Sequence, residues 1–114
     1  MPDCIFCRIA SGEIPSRVVF SDDDLVAFED VNPQAPVHVL VIPRKHIPTL
    51  NDLTSEDDAL LGRLHRAAAK IAQERGVSGP GYRVVLNCNA HAGQSVWHVH
   101  LHLLGGRVLH WPPG

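Results

Sequence analysis

No apolar run follows Met1, so a secretory leader is not expected. No stretch approaches the roughly 20 apolar residues that a membrane span requires, and no membrane partner is expected. Cysteine is scarce. Cys4, Cys7 and Cys88 make an odd count of 3, which fits a reducing cytoplasm better than a disulfide framework. Positive charge is not in excess: the net charge is −2 with histidine neutral. That argues against a general nucleic-acid binder, although a small basic pocket for a phosphate stays open. Low-complexity tracts, internal repeats and linkers are also missing. What is left is a chain of 114 residues, 45% apolar and 19% charged, which reads as a single globular domain over 1–114.

In chain order, Ile5, Phe6 and Ile9 have helical spacing, and Gly12 and Pro15 stop that short helix. Val18 to Phe20 and Leu25 to Glu29 read as two strands of a hairpin around the solvated turn Asp22-Asp23-Asp24. Asp30 to Pro36 is a loop stiffened by its prolines. Val37 to Ile42 is apolar enough for the centre of a sheet, interrupted by His38. The one long helix starts at Thr54 or Ser55, with acids in its first turn. It carries the stripe Leu60, Leu61, Leu64, Ala68, Ile71, Ala72 and ends at Arg75 and Gly76. Tyr82 to Asn87 and Val96 to Leu104 are the fourth and fifth strands, the latter broken by Gly105-Gly106. The tryptophan in the tail Val108 to Gly114 is expected to pack somewhere. The layout is α+β: a five-stranded antiparallel sheet, one long helix and a short N-terminal helix.

The densest chemistry lies in His98-Val99-His100-Leu101-His102-Leu103-Leu104. Strict alternation puts the three histidines on one face and Val99, Leu101 and Leu103 on the other. Each buried imidazole needs a hydrogen-bond partner, so three in a row point to chemistry or to a metal rather than to packing alone. As a nucleophile, an imidazole attacks phosphorus with one nitrogen while an acceptor holds the other. His100, with a neighbour on each side, is the natural candidate, and charged flanking imidazoles would stabilise phosphoryl oxygens. No carboxylate lies in this strand, which leaves a Ser-His-Asp arrangement little support.

Gly93-Gln94-Ser95 stands just before the histidines. Glycine lets backbone N–H groups approach an anion, and Gln94 and Ser95 add donors. Cys4-x-x-Cys7 is half of a zinc site. His46 and His98 could complete a Cys₂His₂ shell, which would make His98 structural and leave His100 and His102 for catalysis. Two unmetallated thiols on a short helix are the alternative.

The H-φ-H-φ-H-φ-φ run resembles the signature of the histidine-triad superfamily. Ile5-Phe6, Glu13-Ile14-Pro15, Phe28-Glu29-Asp30, Asn32 to His38, Val41 to His46, Gly81-Tyr82-Arg83, Gly93 to Val96 and Trp111-Pro112-Pro113-Gly114 are similar to its nucleotide-binding (Hint) branch. The resemblance implies a purine nucleoside 5′-phosphoramidate hydrolase of the adenosine-5′-monophosphoramidase type, and a homodimer joined through the long helix and fourth strand into one continuous sheet. It implies His100 as the nucleophile that forms a nucleotidyl-histidine. His38 and His102 would tune and relay its proton, and Ser95 would hydrogen-bond the leaving group. Asn87, Gly93, Gln94, Ser95 and His102 would hold the phosphate. Asp30 would bind the ribose hydroxyls, with Ile5, Phe6, Ile9 and Val31 around the base. The chemistry would need no cofactor. The Cys4/Cys7 pair departs from animal members of the branch; many bacterial relatives keep it and bind structural zinc with histidines matching His46 and His98.

Three other readings compete. A dinucleoside polyphosphate hydrolase of a neighbouring branch is disfavoured by the C-terminal tail and the short length. A nucleotide-binding scaffold dimer would retain nucleotide with negligible turnover. A metalloenzyme would use the three strand histidines as ligands to one catalytic ion.

Overall fold

The fold follows from how β-branched and leucine-rich segments alternate with one amphipathic helix. A computed structural model describes residues 3–114. In chain order it contains α1 (Ile5–Ala10), β1 (Val18–Ser21), β2 (Leu25–Glu29), β3 (Val37–Pro43), α2 (Asp58–Glu74), β4 (Tyr82–Val85) and β5 (Leu101–Gly105). The strands form one antiparallel sheet in the order β1-β2-β3-β5-β4. This is the expected α+β arrangement.

All seven residues of β3 are buried, because it lies mid-sheet and both its faces are covered. Val37, Val39 and Val41 pack with Leu101, Leu103, Leu64, Ala68 and Ile71 under α2. Leu40 and Ile42 pack the other way, with Phe6, Val26 and Phe28 under α1. The sheet therefore has a deep core on the long-helix side. On the other side a smaller core leaves room for a site.

The long helix begins later than the sequence suggests. Thr54 caps a 3-10 turn, Ser55–Asp57, in a reciprocal box: its hydroxyl accepts from the Glu56 N–H while Asp57 accepts from the Thr54 N–H. α2 proper starts at Asp58. Its end is a Schellman motif. The Gly76 N–H donates to the Gln73 carbonyl and the Val77 N–H to the Ala72 carbonyl, with Gly76 at φ +74°. Leu64 is fully buried beneath this helix. Leu64→Ala should lower unfolding free energy by about 3 kcal/mol through lost transfer energy and a residual cavity. Urea denaturation would read this, and a loss below about 1 kcal/mol would mean that α2 is not docked as described.

Both C-terminal strands are shorter than the alternation predicts. β4 ends at Val85 rather than Asn87, and β5 begins at Leu101 rather than Val96. The partner explains the second difference. β3 pairs Val41 with Leu101 and then runs into Pro43, which has no N–H to continue a ladder. The Pro43 carbonyl is taken by the His98 ring instead, and the Val99 N–H donates to the Ile47 carbonyl. The expected break at Gly105-Gly106 comes one residue later, at Gly106, where φ is +90° and a Cβ would lie 2.9 Å from the Pro36 Cβ. Trp111 does not pack into a core: it is 80% exposed, with the Arg83 guanidinium 6.0 Å from its ring centre.

Candidate active site

The smaller core does not fill its side of the sheet. A cleft of about 1000 Å³ remains. Ile5, Phe6 and Ile9 of α1 wall one end, Asp30 and Val31 follow β2, and His38, His100 and His102 with Ser95 line the rest. The three strand histidines keep the predicted face although only His102 lies within β5. Their rings then diverge, since His98 turns away into the cysteine pair while His100 and His102 stay in the cleft, ring centres 5.0 Å apart.

Hydrogen bonds fix which nitrogen of each ring carries a proton. A carbonyl oxygen only accepts, so a ring nitrogen facing one must be N–H. His100 Nδ1–H donates to the His98 carbonyl at 2.7 Å. Its Nε2 is therefore the bare nitrogen. The Gln34 main-chain N–H donates to His38 Nδ1 at 3.0 Å, so in neutral His38 the proton is on Nε2. That N–H points at His102 Nδ1, 2.9 Å away, with Asp30 Oδ2 at 3.3 Å. His102 accepts on Nδ1 and so carries its own proton on Nε2. The result is an ordered chain from the Gln34 N–H through His38 to His102, with Asp30 beside the His38 Nε2–H, next to a nucleophilic lone pair on His100.

Burial favours the neutral form of every ring in this group. It pushes His38 and His100 down despite the opposing pull of Asp30. It pushes His102 down to about 4, with His100 and His38 adding to the effect. The unfolded chain, with histidine near 6.5, takes up protons that the folded site refuses. Stability is therefore at its plateau above about pH 6.5 and falls as pH drops toward 4. Urea midpoints at pH 7 and pH 5 should show this loss. His102→Gln should shallow the dependence; an unchanged slope would mean that His102 is not neutral in the fold.

The same tautomers argue against a catalytic ion on Asp30, His38 and His102, whose ligand atoms do lie within 4.8 Å of one another. To ligate through Nε2, His38 would have to carry its proton on Nδ1, facing the Gln34 N–H donor to donor.

The second cluster is different. Cys4, Cys7, His46 and His98 converge with their ligand atoms within 4.8 Å. His98 Nε2–H donates to the Pro43 carbonyl at 2.7 Å, which leaves Nδ1 bare. That Nδ1 lies 3.2 Å from His46 Nδ1, 3.3 Å from Cys4 Sγ and 3.5 Å from Cys7 Sγ. The edges of a tetrahedral zinc site that include a nitrogen, from bond lengths of about 2.0–2.1 Å to nitrogen and 2.3 Å to sulfur, are about 3.3–3.6 Å. Burial first, and the neighbouring Cys4 thiol second, push the Cys7 thiol up; a divalent cation would reverse that and hold both sulfurs as thiolates. The donor set and its spacing fit zinc.

Three of the predicted phosphate contacts are not in the cleft lining: Asn87, Gly93 and Gln94. Gln94 is buried, and its side chain is committed to the loop. Its Oε1 accepts from the Asn89 N–H, and its Nε2 donates to the Pro48 and Val96 carbonyls. It shapes the turn that presents Ser95 at the rim. Sequence reasoning missed Ile14 and Leu40 as lining, the Asp30–His38 contact and the Gln34 N–H. The apolar spacing of Ile14 was a usable signal; a main-chain donor left none.

Comparison with known proteins bears on this geometry. The family profile described as "Scavenger mRNA decapping enzyme C-term binding" matches residues 3–109. A purine nucleoside phosphoramidase of Escherichia coli K12 is 50% identical over 107 residues, 94% of this chain and 90% of the relative. An uncharacterized HIT-like protein of Synechocystis is 53% identical over 98% of this chain and 97% of its own length. Among solved structures, a HIT family hydrolase from Legionella pneumophila superposes with a TM-score of 0.97 at 54% identity, covering 98% of this chain and all of that one. A histidine triad protein from Clostridium difficile gives 0.93 at 46% identity, covering 96% and 95%.

Proposed function

The chain belongs to the histidine-triad family of nucleotide hydrolases, and on that premise we propose how it works as a purine nucleoside 5′-phosphoramidate hydrolase. The observation that carries the mechanism is the hydrogen bond from His100 Nδ1–H to the His98 carbonyl, which aims a bare Nε2 into the cleft. The purine lies against Ile5, Phe6 and Ile9, with Val31 at its edge, and Asp30 accepts from the ribose hydroxyls. His100 Nε2 attacks phosphorus. The P–N bond breaks, its electron pair leaves on the amine, and the amine takes a proton from His102 Nε2–H while Ser95 hydrogen-bonds the departing nitrogen. The His38 Nε2–H on His102 Nδ1, and the imidazolium that His100 becomes as it bonds to phosphorus, stabilise the negative charge that this leaves on His102, while Asp30 holds the His38 ring. Water then attacks the nucleotidyl-histidine, gives its proton back to His102, and releases the nucleoside monophosphate from His100. Ser95 and His102 face the phosphate from the cleft, and Gln94 braces the loop that presents Ser95. No metal enters these steps.

Zinc held by Cys4, Cys7, His46 and His98 would be structural, supported by the spacing of the four ligand atoms. A homodimer through β4 and α2 is supported by the open ladder edge that β4 leaves beside exposed Tyr82 and Val108. Free cysteines fit a reducing cytoplasm.

The test is mass spectrometry of protein quenched during turnover of adenosine 5′-phosphoramidate. One adenylyl group mapped to His100 is the expected result. Hydrolysis with no adduct would reassign the reaction to direct attack by water. Faster turnover of a diadenosine polyphosphate than of the phosphoramidate would move the chain to the neighbouring branch.

A further inference from the structure

The helix that forms the apolar wall of the cleft also carries one member of the metal cluster, Cys7, and is capped by another, Cys4. α1 has six residues, far too few to hold its shape alone in water. Something else must keep Ile5, Phe6 and Ile9 against the cleft. Three ties to the rest of the fold are present among the described residues. Phe6 enters the smaller core with Val26, Phe28, Leu40 and Ile42. Arg44 donates to the Ala10 carbonyl at the C-terminal end and, through Nε, to the Asp22 carbonyl at 2.8 Å. At the N-terminal end the tie is the cysteine pair: Cys4 caps the helix by accepting from the Cys7 N–H at 3.4 Å, Cys4 Sγ reaches His98, and Cys7 Sγ reaches both His46 and His98. The Phe6 ring itself stands edge-on to His98 and His100, with centres 6.1 Å and 5.0 Å away.

We propose that Cys4, Cys7 and His46 are positioning residues for nucleotide binding: through the zinc they hold, they pin α1 so that its apolar face is preformed for the base. The inference rests on the zinc reading of that cluster. It separates binding from chemistry. When the metal leaves, α1 loses its N-terminal tie, and the base-binding wall is competent for only part of the time. Apparent affinity then falls by the fraction of time that it is out of place. His100 is not released with it, because His98 stays anchored by its own Nε2–H on the Pro43 carbonyl and keeps its carbonyl on His100. The expected signature is therefore a rise in KM with kcat little changed, and a loss confined to ligands that carry a base.

His46→Ala is the discriminating variant, since His46 lies outside α1 and outside the cleft lining. Zinc content would be measured first, in wild type and variant. AMP and ribose 5-phosphate, which share a phosphate and differ by the base, would then be titrated into zinc-loaded wild type, chelator-stripped wild type and His46→Ala. Circular dichroism at the assay temperature would show that each is folded. Stripping and substitution should each weaken AMP binding by about tenfold or more, leave ribose 5-phosphate within about twofold, and change kcat by less than about threefold. Amide exchange should rise for Phe6 to Ala10 and not for β3. Returning zinc should restore AMP affinity to the stripped wild type but not to His46→Ala. Stripped protein that folds and binds AMP as tightly as before would overturn the inference and leave the zinc reading standing. Wild type that takes up no zinc would overturn both. If His46→Ala does not fold, the stripped and reloaded wild type alone decides between these outcomes.

Discussion

His100→Ala should lower turnover of adenosine 5′-phosphoramidate by about 10⁴–10⁶-fold, the scale seen when a covalent nucleophile is removed, while AMP affinity changes by less than about tenfold. The reason for the asymmetry lies in where the ring sits. His100 touches the reacting phosphorus with Nε2, but the base and ribose contacts belong to α1 and to the segment after β2. Nothing else in the cleft can replace it. His102 presents an N–H on the side where His100 presents a lone pair, and His38 has both nitrogens engaged, with Gln34 and with His102. Single-turnover kinetics together with AMP titration would read both quantities. Retention of more than about a tenth of wild-type turnover would mean that water, not the imidazole, attacks phosphorus. Ser95→Ala should cost far less, because it removes one hydrogen bond to the leaving group and no bond-forming atom.

Loss of the metal cluster should carry the largest effect on stability. Zinc binds the folded arrangement of Cys4, Cys7, His46 and His98, whereas in the unfolded chain these ligands lie apart, with 39 positions between Cys7 and His46. At zinc a thousandfold above its dissociation constant, linkage contributes about 4 kcal/mol. For a domain of this size that is a fall of about 15 °C in Tm on stripping. Cys4→Ala with Cys7→Ala should reproduce the fall in the absence of chelator, and added zinc should not raise Tm in that double variant. Calorimetry of loaded and stripped protein checks this. An equal Tm in the two forms would mean that the cluster holds no metal under those conditions.

Much of the fold was legible because its signals are local. β2 and β3 coincide with apolar runs, that of β3 broken only by His38, the helix stripe Leu64, Ala68, Ile71, Ala72 is the face buried under the sheet, and Gly76 ends the helix where a left-handed residue was needed. The start of β5 was not legible. Alternation from Val96 to His100 is a property of that segment, but a strand also needs a partner, and the partner stops at Pro43. For the site, the resemblance and the alternation brought His38, His100, His102, Asp30 and the α1 wall together correctly in space. Gln94 illustrates the limit: a polar residue in a glycine loop can face a ligand or brace the loop, and only the positions of Pro48, Asn89 and Val96 decide.

The Gln34 amide has a wider consequence. Together with the Asp30 carboxylate it determines which His38 nitrogen carries the proton that faces His102, and it belongs to the main chain of a segment bracketed by Pro33 and Pro36. Side-chain scanning of the cleft would pass over it, because no alanine replacement removes a peptide N–H. Divergence of this enzyme toward another proton-transfer chemistry could therefore begin in the spacing of those two prolines, with every imidazole left in place.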